Sequence, residues 1–148
     1  TPGDVMFVVD QINLMGDSPL SGSSFVDMSG AYEISLSRDI LRAGRNAGIK
    51  VHPGVLAGVR GPVYETPAEV KMLRKLGADA VCMSTIPEVI VAKSYGMRVI
   101  GLSFIANRAS SFPKKHSHHE VLEMANRSSE KLSIIVKEAI KKFAQHYP

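Results

Sequence analysis

Four short apolar runs alternate with segments of helical period, and this alternation restricts the fold more than any other feature of the chain. Residues 5–9 (Val-Met-Phe-Val-Val) are continuously apolar and rich in β-branched side chains, as a strand covered on both faces must be. Further strands are expected at 51–57, softened at its start by Pro53, at 78–83 and at 98–105. Between them the periodicity predicts helices at about 29–47, at 67–76, and from the Ser84–Thr85 pair to a stop at Gly96. Ile34, Ile40, Leu41 and Ala47 share one face of the first, where Gly44 costs about 1 kcal/mol relative to alanine. A closing helix at 119–145 has Val121, Met124, Ala125, Leu132, Ile135, Val136, Ala139 and Phe143 on one side. Short connections between strand, helix and strand imply parallel pairing through crossovers. The expected fold class is α/β, a three-layer α/β/α domain with a mostly parallel sheet.

The stretch at 58–70 (Gly-Val-Arg-Gly-Pro-Val-Tyr-Glu-Thr-Pro-Ala-Glu-Val) is where a ligand is expected. Gly58, Gly61 and Pro62 mark a loop leaving the carboxyl end of a buried strand. Thr66 reads as a helix N-cap, Pro67 as the first helical residue and Glu69 as the capping-box partner. Tyr64 and Glu65 are then held at a strand end, the usual ligand crevice of open α/β sheets. A ring beside a carboxylate suits a flat, hydrogen-bonding ligand such as a nucleobase; the plainer alternative is a core tyrosine and a solvated first-turn acid. Met83 and Ser84 follow the third strand, Asn107 follows the fourth, and His118 can reach the same rim. Asparagine donates and accepts, and a serine hydroxyl at a helix N-terminus suits an anion. Asn107 as a turn cap, Met83 as core and Ser84 as a simple N-cap are the alternatives. Thr85 with Glu88 repeats the capping-box spacing.

Composition narrows the classes further. The 148 residues make one domain's worth of chain, with 45% hydrophobic and 22% charged residues. No apolar run reaches the 18 residues a membrane helix needs. One cysteine, Cys82, precludes an internal disulfide and suits a reducing cytoplasm. A net charge of +4 is spread along the chain rather than gathered, and no aromatic stacking platform accompanies it, so a nucleic-acid role is not expected. His116, His118 and His119 lack acidic or cysteine partners at ligand spacing, so no metal is expected.

The segments INLMGDSPLSG (12–22), GVRGPVYETPAEVKMLRKLGADAVCMSTIPEVIVA (58–92), GMRVIGLSFIAN (96–107) and SHHEV (117–121) resemble the carboxyl-terminal half of the trimeric purine nucleoside phosphorylases. The resemblance runs nearly the whole length, making 1–148 the carboxyl-terminal part of one phosphorylase-like α/β domain that lacks the amino-terminal half. It implies phosphorolysis of inosine- or guanosine-like nucleosides to free base and pentose 1-phosphate, in purine salvage, by a cytoplasmic homotrimer. Inorganic phosphate is the co-substrate, and no metal or organic cofactor is implied. By the same resemblance Glu65 holds the N1 edge of the base, and Asn107 binds N7 and O6 and steadies the departing purine. Tyr64 packs on base and sugar, Met83 lies under the ribose, Ser84 touches phosphate and His118 approaches the 5′-hydroxyl.

Four departures stand out. Gln11 replaces a histidine, the segment between Gly22 and Phe25 is shortened, Cys82 replaces a glycine, and Ala106 replaces a serine or threonine. Cys82 is expected to crowd the base, and Ala106 removes a hydroxyl. The family's phosphate-binding serine loop and Arg-x-His segment have no counterpart here, leaving Ser84, with Arg60 the nearby cation that could substitute. The missing half is also expected to leave an open sheet edge at 5–9. A rival reading is a truncated, non-catalytic nucleoside-binding or assembly module.

Overall fold

The computed structural model describes residues 1–22, 25–109 and 118–146, the side chains of His118 and Arg127 excepted. In chain order these form β1 (Val5–Asn13), a 3-10 turn (Ile34–Leu36), α1 (Ser37–Asn46) and β2 (Val51–Gly58). There follow α2 (Pro67–Lys75), β3 (Ala80–Cys82), α3 (Ile86–Ser94), β4 (Gly101–Phe104) and α4 (His118–His146). Among the described residues no helix is long and apolar enough to cross a membrane.

The strands form one sheet in the order β3-β2-β1-β4. β2 and β3 are parallel, pairing Leu56 with Ala80, Ala57 with Val81 and Gly58 with Cys82. Asp79 sets this register: its N–H donates to Val55 O and its Oδ2 accepts from Val55 N–H, each at 2.9 Å. Val5 N–H donates to Lys50 O and Leu14 N–H to Gly58 O, both at 2.9 Å, so β1 advances with β2. β4 departs from the expected parallel run. Ile105 exchanges backbone bonds with Gly3 and Asp4, while Gly101 lies against Val8, which sets β4 antiparallel to β1. The sheet is therefore mixed, and the chain is α/β. β1, expected at an open edge, is instead interior; β3 and β4 are the edges. Sequence order does not dictate sheet order, and β4 pairs with the side of β1 that β2 leaves free.

Two compact units share the chain. One comprises Thr1–Phe7, Ile34–Pro53 and Leu102–Pro148, and the other Val8–Glu33 and Gly54–Gly101. In the first, Leu36 of the 3-10 turn continues into a buried stripe of Ile40 and Gly44 on α1, and Ile135 and Ala139 are buried on α4, which packs on α1. Leu36, Ile40 and Ile135 are fully buried, and each such side chain stabilises the fold by about 1.5–3 kcal/mol. In the second, Val8, Tyr32, Leu56, Val70, Leu73, Ile86 and Val89 are buried.

The helix expected at 29–47 begins only at Ser37, after the 3-10 turn. Upstream, Glu33 N–H donates to Val99 O at 2.7 Å and Tyr32 enters the core, which holds this stretch extended. Ile34 is consequently exposed rather than on the buried face. On α4, Val136 and Ala125 are exposed, and the buried stripe passes through Ser128 instead. β3 and β4 are shorter than expected, and the helix expected at 67–76 ends one residue earlier.

Candidate functional site

The loop after β2 is pinned at both ends. Val59 N–H donates to Cys82 O at 2.9 Å, extending the β2–β3 pairing by one bond. At the far end the capping box is complete: Glu69 N–H donates to Thr66 Oγ1, and Thr66 N–H donates to Glu69 Oε2 at 2.7 Å. These bonds to Thr66 hold the Glu69 carboxyl below the usual carboxylate range. Helix α2 is thereby anchored, and Tyr64 and Glu65 lie between the two fixed points.

Two glycines bring the β2 loop and the β3–α3 turn together. A Cβ on Gly58 would stand 2.7 Å from Ile86 Cδ1, and one on Gly61 would stand 2.6 Å from Met83 Sδ. Gly61 thus accepts the Met83 side chain directly over its backbone. Tyr64 and Met83 are each 40% exposed, large for apolar side chains inside a fold; Glu65 is half-buried and Ser84 exposed. Four of the expected site residues, Tyr64, Glu65, Met83 and Ser84, therefore sit in one compact unit.

Asn107 belongs to the other unit, and the residue has interactions of its own. Because β4 runs against β1, the rule that parallel strands share a carboxyl-end rim does not extend to Asn107. His118 is the first residue of α4, and its side chain lies outside the described residues, as does His116. Among the described residues no cluster of three or more histidine, cysteine or carboxylate side chains could hold a metal.

The β3–α3 turn differs from expectation. Thr85 has φ 67° and ψ −55° and makes no side-chain cap bond. Ile86 N–H donates back to Ser84 O at 2.7 Å, which makes a classic γ-turn, a strained conformation for a β-branched residue. The expected Thr85–Glu88 capping box cannot form from this backbone. Cys82 supplies the turn's other contact, its thiol donating to Ser84 O at 2.9 Å. Burial pushes this thiol up from its ordinary pKa, partly offset by the Ser84 N–H, the Thr85 hydroxyl and the Ile86 N–H, each of which favours the thiolate.

Beside this turn lies an open depression of about 430 Å³ lined by Ser84, Thr85, Glu88, Val89, Ala92 and Val99. Small-molecule sites fall in this size range. Sequence reasoning found Ser84 but not the α3 face or Val99, whose only signal was an ordinary apolar period. It also missed Tyr32, which donates from its hydroxyl to Gln11 Oε1 at 2.8 Å. Burial, with Cys82 and Asp10 adding to it, pushes the Tyr32 phenol up to about 12.

The sequence profile of the phosphorylase superfamily matches residues 1–141. Purine nucleoside phosphorylase 1 of Bacillus subtilis is 46% identical over 133 residues, covering 84% of this chain and 49% of that protein. Its counterpart from Geobacillus stearothermophilus is 40% identical over 153 residues, covering 98% of this chain and 56% of the relative. The chain thus spans about half the length of the curated relatives it matches. Among solved structures, Schistosoma purine nucleoside phosphorylase in complex with guanosine superimposes with a TM-score of 0.89 at 32% identity. That match covers 96% of this chain and 57% of the other. The complex with hypoxanthine gives a TM-score of 0.87 at 33% identity, covering 96% and 56%.

Proposed function

Since the chain belongs to the phosphorylase superfamily, we propose that it forms the carboxyl-terminal half of a purine nucleoside phosphorylase acting on inosine- or guanosine-like substrates. The reaction transfers the pentose from the purine to inorganic phosphate and uses no metal or organic cofactor. The single observation that carries this reading is the junction of the Tyr64–Glu65 loop with the Met83–Ser84 turn across Gly61. An aromatic ring, a carboxylate, a thioether and a hydroxyl are thereby gathered within one unit. The likeness to phosphorylases in complex with guanosine and with hypoxanthine supports the same substrate class.

In the proposed roles Glu65 accepts from the N1 edge of a 6-oxopurine and Tyr64 packs on its face. Met83 lies under the ribose and Ser84 contacts phosphate. Asn107 donates to the charge that builds on N7 and O6 as the glycosidic bond breaks, and His118 serves the 5′-hydroxyl. Donors placed for developing charge contribute most to such a step. Purine salvage, a cytoplasmic location and a homotrimeric assembly belong to the same proposal.

Alignment of phosphate against the anomeric carbon can supply roughly 7–11 kcal/mol of the barrier. Ser84 offers one hydroxyl, Lys71 and Arg74 of α2 are exposed, and Arg60, the nearby cation that could substitute, is exposed as well. The 148-residue chain alone is therefore expected to release no hypoxanthine from inosine and phosphate. Release is expected when it is co-expressed with the remaining half of a related phosphorylase. Robust release by the lone chain would refute the need for further residues. Nucleoside binding indifferent to phosphate, with no release in either case, would favour the non-catalytic binding module.

A further inference from the structure

Helix α4 has a second uncharged row besides the one it buries. The row through Ser128, Ile135 and Ala139 is buried, and α4 packs on α1. Beside it Leu122, Ser129 and Val136 recur at seven-residue intervals, as do Asn126, Ser133 and Ile140. Together they make the alternating three- and four-residue spacing of a helix-pairing seam. Leu122 is 50% exposed and Ile140 64%, and the seam contains no charged side chain. Its Ser129 hydroxyl donates to Asn126 O at 2.8 Å, so covering the seam would leave that donor paired. From Leu122 to Ile140 it runs roughly 30 Å at the rise of an α-helix.

The charges along the outer flank of the seam point to what covers it. Glu123, Glu130 and Lys137 also recur every seven residues, with Lys141 following, and all four are exposed. The flank is thus acidic toward His118 and basic toward His146. Reversed end for end, this order is its own complement: Glu130 of one copy meets Lys137 of another, and the reverse. A two-fold interface requires such self-complementarity, whereas a face reserved for a different segment has no need of it. Parallel pairing would offer these charges no partner, because the inner flank is Ala125, Leu132 and Ala139. We propose that α4 pairs antiparallel with α4 of a second copy of this chain. Asn126 and Ser133, polar within the seam, limit its strength and favour one register. This contact is independent of the nucleoside reading and additional to the three-fold assembly proposed above.

Sedimentation of the full chain over a range of concentrations tests this. Wild type is expected to reach twice 16.0 kDa by about 100 μM and to return to monomer on dilution. Ile140→Gln, a change at an exposed position, is expected to stay monomeric with unchanged circular dichroism. Lys137→Glu and Glu130→Lys are each expected to weaken association roughly tenfold, since every dimer then sets two like-charged pairs together. An equimolar mixture of these two variants is expected to pair at wild-type strength, as is the double reversal. Charge effects within one helix cannot produce rescue between separate chains. A wild type that stays monomeric overturns the inference, as does association that Ile140→Gln leaves intact or reversals that the mixture does not rescue. Should Ile140→Gln not fold, the charge series decides. A monomeric wild type whose complementation by the remaining half of a related phosphorylase is lost in Ile140→Gln would assign the seam to packing within the complete protein, refuting the second copy.

Discussion

Glu65 and Asn107 carry the proposed chemistry, one at the base's N1 edge and the other where charge develops. In a catalytically complete enzyme, Asn107→Ala is expected to raise the barrier in kcat/KM for inosine by about 2–4 kcal/mol, as loss of a transition-state donor does. Glu65→Ala should be comparably damaging with 6-oxopurines and milder with ligands lacking an N1 proton. Near wild-type cleavage by either variant would remove that residue from the site. Tyr32 permits a test that needs no substrate. Its phenol is held neutral up to about 12 against an ordinary 10.0, chiefly by burial, so between these values the folded state retains a proton the unfolded chain has lost. Stability is then fully present below pH 10 and falls as pH rises toward 12. A melting temperature that declines across this window in wild type, but less in Tyr32→Phe, is the expected result; identical slopes would contradict it.

Much of the element order was legible because its signals are local. Thr66, Pro67 and Glu69 announce the start of α2 within four residues, and the capping box forms as read. Runs such as 5–9 and 51–57 declare buried strands by composition. What was not legible depends on partners distant in sequence. The extended path of Tyr32 and Glu33 is imposed by the core and by Val99. The direction of β4 is set by Gly3 and Asp4, and the Thr85 backbone by Ser84 and Cys82. At the site, Tyr64 and Glu65 could be located from the loop's punctuation, whereas the Met83–Gly61 approach could not, since a glycine's neighbours leave no trace in the chain. Gly44 makes the same point about stability. Read locally it is a weak spot in α1, but a Cβ there would collide with Val51 Cγ2 and come within 2.9 Å of Ile49 O. Gly44→Ala is therefore expected to destabilise by about 1–3 kcal/mol through overpacking, despite a helix-propensity gain of about 1 kcal/mol. Denaturant unfolding measures the difference, and a stabilised variant would show that β2 yields easily.

At the scale of the whole molecule, the sheet order bonds β1 and β2 on both sides, β1 carries a continuous buried run at Val5–Val8, and β3 is a short, half-buried edge. Amide exchange at Val5–Val8 is expected to be the slowest in the sheet and that at Ala80–Cys82 markedly faster. Equal rates would mean that the β1 pairings open independently of the rest. The division into two units has a consequence for the order of events at the ribosome. Each unit is assembled from separated stretches of chain, and Thr1–Phe7 belongs with Leu102–Pro148. About 95 residues lie between Phe7 and Leu102, roughly 5–20 s of synthesis at 5–20 residues per second. During that interval the first segment has no partner from the last, and its apolar run at 5–8 is a natural client for a chaperone. No single cut of the polypeptide separates the two units, so neither can be inherited, expressed or lost by itself as one continuous piece.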